Sequence, residues 1–155
     1  METQENLQTR AWQIAASVAD PEIPAITIEE LGVLRDVRIR SGRVEVSIIP
    51  TYSGCPAMNI ITQDIKSALR QGGFEEVEVK TLLSPAWSTD FITAEAKEKL
   101  RQAGIAPPDR STEQPACPLC GSKDVEKISQ FGSTACKALW RCKSCREPFD
   151  YFKCL

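Results

Sequence analysis

The sequence predicts an α+β protein in two parts, a small domain with the element order α-β-β-α-β-α and a C-terminal three-stranded ribbon. Three observations predict it. Apolar residues recur at helical or alternating spacing up to residue 103, residues 105–116 hold three prolines and little that is apolar, and six of the seven cysteines follow that segment. We therefore expect the first domain at 1–104, a linker at 105–116 and the ribbon at 117–155.

The first half of the domain is predicted to contain one helix and a hairpin. Apolar residues fall at helical spacing over 5–19, and the Asp-Pro pair at 20–21 ends that helix because the residue before a proline disfavours helical dihedrals. Residues 33–39 and 44–48 alternate between apolar and polar around the Ser-Gly pair at 41–42. That pattern is typical of two antiparallel strands joined by a tight turn.

The second half of the domain is predicted to contain two helices and a strand. Pro56 suits the first turn of a helix that carries an apolar face and ends at the Gly-Gly pair at 72–73. Valines at 77 and 79 mark a third strand. A last helix covers 93–103, capped by a threonine at its start and stopped by Gly104.

The composition excludes several classes of enzyme. The chain has 155 residues and no histidine. Without imidazole there is no Ser-His-Asp or Cys-His catalysis, no HExxH zinc protease and no site of two histidines and one carboxylate. Any metal must therefore be held by thiolates or carboxylates.

The N-terminal residues carry acidic side chains and no apolar run, so we expect no secretory signal, and no segment reaches the length of an apolar membrane helix. These features predict a cytoplasmic protein. In that reducing compartment, cysteines act as metal ligands or reactive thiols more often than they form disulfides.

The ribbon contains two CxxC pairs, Cys117 with Cys120 and Cys142 with Cys145. Four thiolates in this arrangement predict a closed tetrahedral zinc site, and an iron-sulfur cluster held by the same ligands is the alternative. A domain of this size cannot be stabilised by apolar burial alone, so a structural metal is expected. Gly121 follows the first pair and Arg146 follows the second, which predicts a less regular second knuckle.

The charge of the ribbon gives little reason to expect nucleic-acid binding. Residues 117–155 hold seven basic and four acidic side chains, a net of +3, and a zinc tetrathiolate of charge −2 reduces this to about +1. The aromatic side chains of so small a domain usually form its core.

Two further cysteines, Cys136 and Cys154, are predicted to face each other across a hairpin of strands 136–142 and 148–154, in which Cys142 faces Pro148. Such a pair could bind a second metal, cycle between thiols and a disulfide, or only pack as small apolar residues.

Cys55 is predicted to stand at the start of the second helix, where backbone amides and the helix dipole favour a thiolate. Gly54 would let a ligand approach the backbone, and Thr51 adds a nearby hydroxyl. One thiolate cannot hold a cluster alone, so partners would be Asp20, Glu22 or the same cysteine of a second copy of the chain. A simple helix start with a buried thiol is the alternative.

Four short motifs occur in order along the first domain: Asp20-Pro21-Glu22-Ile23-Pro24, Ile28 with Glu30-Leu31-Gly32-Val33, Thr51-Tyr52-Ser53-Gly54-Cys55-Pro56, and Ser84-Pro85-Ala86-Trp87. Together they resemble the SufT-type domain of iron-sulfur maturation factors. Followed by the cysteine-rich ribbon, they are similar to the PaaD family, whose members are components of 1,2-phenylacetyl-CoA epoxidase.

The resemblance implies an accessory subunit of the epoxidase system of phenylacetate catabolism, which helps to assemble an iron-sulfur cluster or iron in a partner. It places Cys55 at the family's motif cysteine and Asp20 and Glu22 in an acidic loop. The implied partners are the other epoxidase components, especially a reductase with flavin and a [2Fe-2S] cluster. A homodimer would bring two Cys55 thiolates together. Catalysis of the epoxidation itself is not expected, since no Glu-x-x-His pair of a di-iron site occurs without histidine.

Two other functions remain open from the sequence. The ribbon could be a docking module without chemistry of its own. Alternatively, Cys136 and Cys154, or Cys55, could serve a thiol-dependent redox protein.

Overall fold

A computed structural model describes residues 3–52 and 54–153 of the chain. The chain divides into two compact units, Met1–Trp87 and Ser88–Leu155. Among the described residues, no helix is both long enough and apolar enough to cross a membrane.

The first unit is a three-stranded sheet with two helices. Its elements are α1 (Gln4–Ala16), β1 (Leu34–Arg40), β2 (Arg43–Ile48), α2 (Ala57–Gln71) and β3 (Val77–Thr81). The sheet order is β1-β2-β3, with β1 antiparallel and β3 parallel to the central β2. Helix α1 contacts β1 and α2, and α2 contacts β3. This confirms the first five elements of the predicted order α-β-β-α-β-α, and the sixth, a helix, follows in the second unit.

The core of the first unit is built from residues at the predicted spacings. Alternate side chains of β2 are fully buried, and α2 buries one face at four-residue intervals. These residues are Val44, Val46 and Ile48 of the strand and Ile61, Ile65 and Leu69 of the helix. A parallel pairing of β2 with β3 requires a crossover connection, which α2 supplies.

The hairpin turn is the predicted one. Arg40 pairs with Arg43, and the two residues between them, Ser41 and Gly42, have φ of 51° and 78°. Two consecutive left-handed residues are the signature of the tight turn whose twist matches that of the strands.

Helix α1 ends at Ala16, earlier than the predicted residue 19. The chain leaves the helix before the Asp-Pro pair because Ala19 forms a β-bridge with Thr27. Gln8 fixes the helix to the sheet: its side chain accepts the N–H of Ile39 at 3.1 Å and donates to the carbonyl of Val37.

The second unit joins a helix to a four-stranded sheet. It contains a 3-10 helix (Thr89–Phe91), α3 (Ala94–Gln102), β4 (Ile105–Ala106), β5 (Val125–Ser129), β6 (Lys137–Cys142) and β7 (Pro148–Phe152). The sheet order is β4-β7-β6-β5. Strands β5, β6 and β7 are the predicted three-stranded antiparallel ribbon. Strand β4 adds a short parallel edge beside β7.

The division between the units lies earlier than the predicted boundary at 104/105. Helix α3 contacts β4, and β4 pairs with β7, so both belong to the ribbon's unit. The first two residues of the predicted linker at 105–116 therefore form a strand. Thr93 caps α3 as predicted, because its hydroxyl accepts the N–H of Ala96 at 3.1 Å.

Candidate functional site

The sulfur atoms of the two CxxC pairs form one cluster. All four lie within 4.8 Å of one another, with 3.8 Å between Cys117 and Cys145 and 3.5 Å between Cys120 and Cys142. Four sulfurs bonded tetrahedrally to zinc at about 2.3 Å stand about 3.8 Å apart. The donor set therefore fits a closed tetrathiolate metal site.

The two knuckles share two kinds of backbone hydrogen bond. The N–H of Cys117 donates to the carbonyl of Ser122 at 2.8 Å, and the N–H of Cys142 donates to that of Glu147 at 3.0 Å. The first sulfur of each pair accepts a backbone N–H at 3.4 Å, from Leu119 in one knuckle and from Cys145 in the other. Backbone amides directed at sulfur stabilise thiolates.

The prediction of a less regular second knuckle is wrong for the backbone. Gly121 has φ of 79° and Arg146 has φ of 67°, so both adopt the left-handed conformation that the turn requires. An arginine there bears the steric cost that glycine avoids, which is on the order of 1–2 kcal/mol.

The thiols of the cluster differ in pKa. The backbone N–H of Cys145 lowers the pKa of Cys142 to about 6. The N–H of Glu147 lowers the pKa of Cys145, but burial and the sulfur of Cys142 outweigh it and raise that pKa to about 12. The pKa of Cys120 is also raised: the N–H of Ser122 lowers it, and the sulfur of Cys142 and burial outweigh that effect. A divalent cation must therefore displace protons to bind all four sulfurs.

The predicted register of the ribbon hairpin is wrong by one residue. Arg141, not Cys142, pairs with Pro148, and Lys137 pairs with Phe152. Lys153 lies beside Cys136, whose carbonyl accepts its N–H at 3.0 Å. Cys154 lies outside the described residues, and the sulfur of Cys136, which is buried, lies 3.0 Å from the hydroxyl oxygen of Thr134.

Cys55 lies at the start of α2, as predicted. It is half-buried, its N–H donates to the carbonyl of Tyr52, and its own carbonyl accepts the N–H of Met58, both at 3.3 Å. Gly54 has φ of 75°, and a side chain at this position would meet nothing within 4 Å. The backbone beside Cys55 is therefore open to a close approach.

Asp20 and Glu22 lie in the loop between α1 and β1. One carboxylate oxygen of Asp20, which is buried, accepts the N–H groups of Glu22 and Ile23 at 2.8 and 2.9 Å. Asp20 therefore holds its own loop in shape, while Glu22 is half-buried in that loop.

Thr51 lies in a cleft of about 220 Å³ that the sequence does not predict. Its other walls come from Ile49, Pro50 and Tyr52 and from five residues that follow β3: Leu82, Leu83, Pro85, Ala86 and Trp87. Trp87 closes the cleft and donates its indole N–H to the carbonyl of Leu31 at 2.9 Å, so two of the sequence motifs are joined by a hydrogen bond. Leu83, 85% exposed, stands at this cleft, and only its position after a strand could have indicated it.

Glu30, next to Leu31, forms a reciprocal pair of hydrogen bonds with Thr27. Its carboxylate accepts the N–H of Thr27 at 3.1 Å, and the Thr27 hydroxyl accepts the N–H of Glu30 at 3.2 Å. This reciprocal pair has the hydrogen-bond pattern of a capping box, here at the turn of residues 28–32, which explains the Thr-x-x-Glu spacing.

Comparisons with known proteins match the N-terminal and the C-terminal part of the chain to two different families. Residues 13–81 match the family model of an iron-sulfur cluster assembly protein, and residues 103–153 match that of a PaaD zinc beta ribbon domain. The chain is 28% identical to a DUF59 domain of unknown function from Bacillus anthracis, with a TM-score of 0.58 over 63% of this chain and 93% of that one. The fold and the site therefore define an iron-sulfur assembly domain joined to a metal-binding ribbon.

Two curated relatives extend the comparison. The chain is 46% identical to an Escherichia coli K12 protein provisionally named as a 1,2-phenylacetyl-CoA epoxidase component, over 93% of this chain and 91% of the relative. It is 30% identical to an Fe-S protein maturation auxiliary factor of Porphyromonas gingivalis, over 54% of this chain and 81% of that protein. The chain belongs to the PaaD family. These similarities support an accessory role.

Proposed function

We propose that the chain is a cytoplasmic accessory subunit of a phenylacetyl-CoA epoxidase system that helps to assemble an iron-sulfur cluster, or iron, in a partner component. The partner we favour is the reductase that carries flavin and a [2Fe-2S] cluster. One observation carries the proposal: Cys55 is a half-exposed thiol at a helix start, in a domain that matches iron-sulfur assembly proteins.

Cys55 is the residue we assign to the cargo. Its thiolate would bind iron, and a homodimer would supply a second thiolate from the other copy. Glu22 and Thr51 are candidates for further oxygen contacts to the cargo. Asp20 is a third candidate, and one of its carboxylate oxygens also holds the loop by accepting the N–H groups of Glu22 and Ile23.

The ribbon cysteines have a different task in this proposal. Cys117, Cys120, Cys142 and Cys145 hold a structural zinc ion, which cross-links the loop before β5 to the turn between β6 and β7. The sulfur spacing supports this assignment. Zinc has no redox chemistry, so cluster chemistry would lie with Cys55 and not with the ribbon.

The test is a maturation assay with the reductase as the recipient. The reductase is produced together with the full chain, with its Cys55→Ala variant, or alone, and its iron content and [2Fe-2S] absorption are measured. We expect the Cys55→Ala variant to leave the reductase as poor in cluster as no chain at all. Cys136→Ala, at a buried cysteine outside the cargo region, is the matched control and should behave as the unmodified chain.

The result that would refute the proposal is equal cluster content with Cys55→Ala and with the unmodified chain. Normal cluster content without any chain would exclude the reductase as the recipient.

A docking role for the ribbon is the second candidate. Among the described residues of the second unit, three large apolar side chains are more than half exposed: Leu119, Ile128 and Phe131. Binding of the full chain to the reductase, measured for Phe131→Glu beside Leu83→Glu in the first unit, would test it. Loss of binding only for Phe131→Glu favours docking through the ribbon, and equal binding of both variants excludes it.

A further inference from the structure

The four cysteines of the metal site differ sharply in exposure. Cys142 is completely buried and Cys117 is 2% exposed, whereas Cys145 is half-buried and Cys120 is exposed. Cys120 is thus the ligand that a molecule from solution can reach most directly.

A cleft of about 450 Å³ opens beside Cys120 within the second unit. Its walls include both cysteines of the first knuckle and the exposed side chain of Leu119 between them. Prolines and small residues supply much of the remaining wall: Ala106, Pro107, Pro115, Ala116 and Pro118. Small-molecule sites typically have volumes of about 300–1,000 Å³.

Two charged residues border the cleft. Arg101 is paired with the carboxylate of Glu98, and the carboxylate of Asp109 accepts the N–H of Ser111 at 2.9 Å. The cleft therefore presents a mostly apolar wall and an exposed sulfur, which suits a soft ligand better than a highly charged one.

We propose that Cys120 is the exchangeable ligand of the metal centre, and that the cleft admits a thiol of about tripeptide size that replaces it. The incoming thiol releases its proton to solvent and its sulfur bonds to the metal. The bond from the metal to Cys120 breaks, and the Cys120 thiolate takes up a proton. Nothing is oxidised, and the charge of the centre stays the same.

The other three ligands are poorly placed for this step. Replacement of a ligand by an incoming sulfur needs access to the metal from outside, and burial closes that approach at Cys117 and Cys142. Cys145 is half-buried and does not line the cleft. The geometry therefore predicts that only the bond from the metal to Cys120 is exchanged.

The inference rests on the metal binding proposed above, so the zinc content of the purified full chain is measured first. The zinc-loaded protein is then treated with limiting iodoacetamide, and each cysteine is followed by peptide mass spectrometry. We expect Cys120 to be alkylated about tenfold faster than Cys117 and Cys142, because access controls thiol reactivity. Cys55, a half-exposed thiol outside the site, is the internal reference for reagent activity.

A second measurement tests the cleft itself. Zinc transfer to a coloured chelator is timed with and without glutathione, for Thr112→Trp in the cleft and for Ser133→Trp on an exposed loop away from it. We expect glutathione to accelerate transfer in the unmodified chain and in Ser133→Trp, and the acceleration to be lost in Thr112→Trp.

The outcomes separate the two proposals. A chain without bound zinc would overturn the assignment of the metal. Bound zinc with equal alkylation of all four ligands, or with glutathione acceleration unchanged in Thr112→Trp, would leave the metal site standing and overturn exchange at Cys120.

Discussion

The two units of this chain differ in the interactions that stabilise them. The first unit buries one face of β2 and one face of α2, including large side chains such as Ile48, Ile61 and Ile65. The core of the ribbon is small, and two of its buried members, Cys117 and Cys142, belong to the four-cysteine cluster that we propose as the metal site. Apolar packing stabilises the first unit, whereas the proposed metal site implies that the ribbon depends on cross-linking by a metal.

Removal of the metal is the strongest test of this difference in stabilisation between the two units. A chelator, or the Cys142→Ala variant, should unfold the ribbon, since structural zinc contributes about 10–16 kcal/mol to the folding of small zinc peptides at neutral pH. The first unit should stay folded because its core contains no ligand of the site. Amide NMR spectra report on both units at once. Dispersed ribbon signals after chelation would show that the ribbon stays folded without the metal and would contradict the account.

Truncation of a core side chain in the first unit should destabilise that unit and leave the ribbon folded. Ile65→Ala removes a fully buried side chain of α2 and should destabilise the first unit by about 2–5 kcal/mol while zinc binding persists. Ile60, its neighbour on the same helix, is 51% exposed, so Ile60→Ala should change stability by about 0.5 kcal/mol or less. Denaturant unfolding measures both, and equal effects would show that α2 does not form the core.

Acidification should act on the ribbon before it acts on the first unit. Because the pKa values of Cys145 and Cys120 are raised, both thiols are protonated at neutral pH and must lose protons when the metal binds. Metal affinity should therefore fall as pH falls, by about a hundredfold or more per pH unit around neutrality. Zinc titrations at several pH values measure this slope, and an affinity independent of pH would contradict four-thiolate binding.

The smallest predicted effect concerns Arg146. Arg146→Gly should stabilise the metal-loaded ribbon by about 1 kcal/mol, because glycine adopts the left-handed conformation without the steric cost of a side chain. Gly121→Arg, at the matching position of the first knuckle, should destabilise it by a similar amount. Thermal unfolding of the zinc-loaded variants measures both changes, and a loss of stability in Arg146→Gly would indicate that the arginine side chain makes a compensating contact.

Local patterns in the sequence are sufficient to predict most elements. The hairpin at residues 41–42 and the cap at Thr93 depend on a few neighbouring residues, and the structure confirms both. Strand β4 has no such signal, because a pairing of two residues with β7 leaves almost no local pattern. The predicted register of the ribbon hairpin is wrong because a shift of one residue depends on the geometry of the turn, which the cysteine spacing does not define.

The candidate sites also combine features that a local sequence pattern predicts with features that it does not. The cysteine spacing predicts the ligand cluster, since two CxxC pairs suit one tetrahedral metal. The left-handed conformation of Arg146 could not be predicted, because arginine rarely adopts it. The cleft at Thr51 is assembled from residues distant in sequence, on one side residues 49–52 and on the other residues 82–83 and 85–87, and no local pattern indicates it.

The most direct test of the division of labour between the two units is a metal analysis of anaerobically purified protein. Zinc and iron per chain and the visible absorption spectrum are measured for the unmodified chain and for Cys55→Ala. We predict one zinc ion per chain in both proteins, and iron with a labile cluster spectrum only in the unmodified chain. Iron that persists in Cys55→Ala, with zinc missing from both proteins, would show that the ribbon holds the cluster and would contradict our assignment.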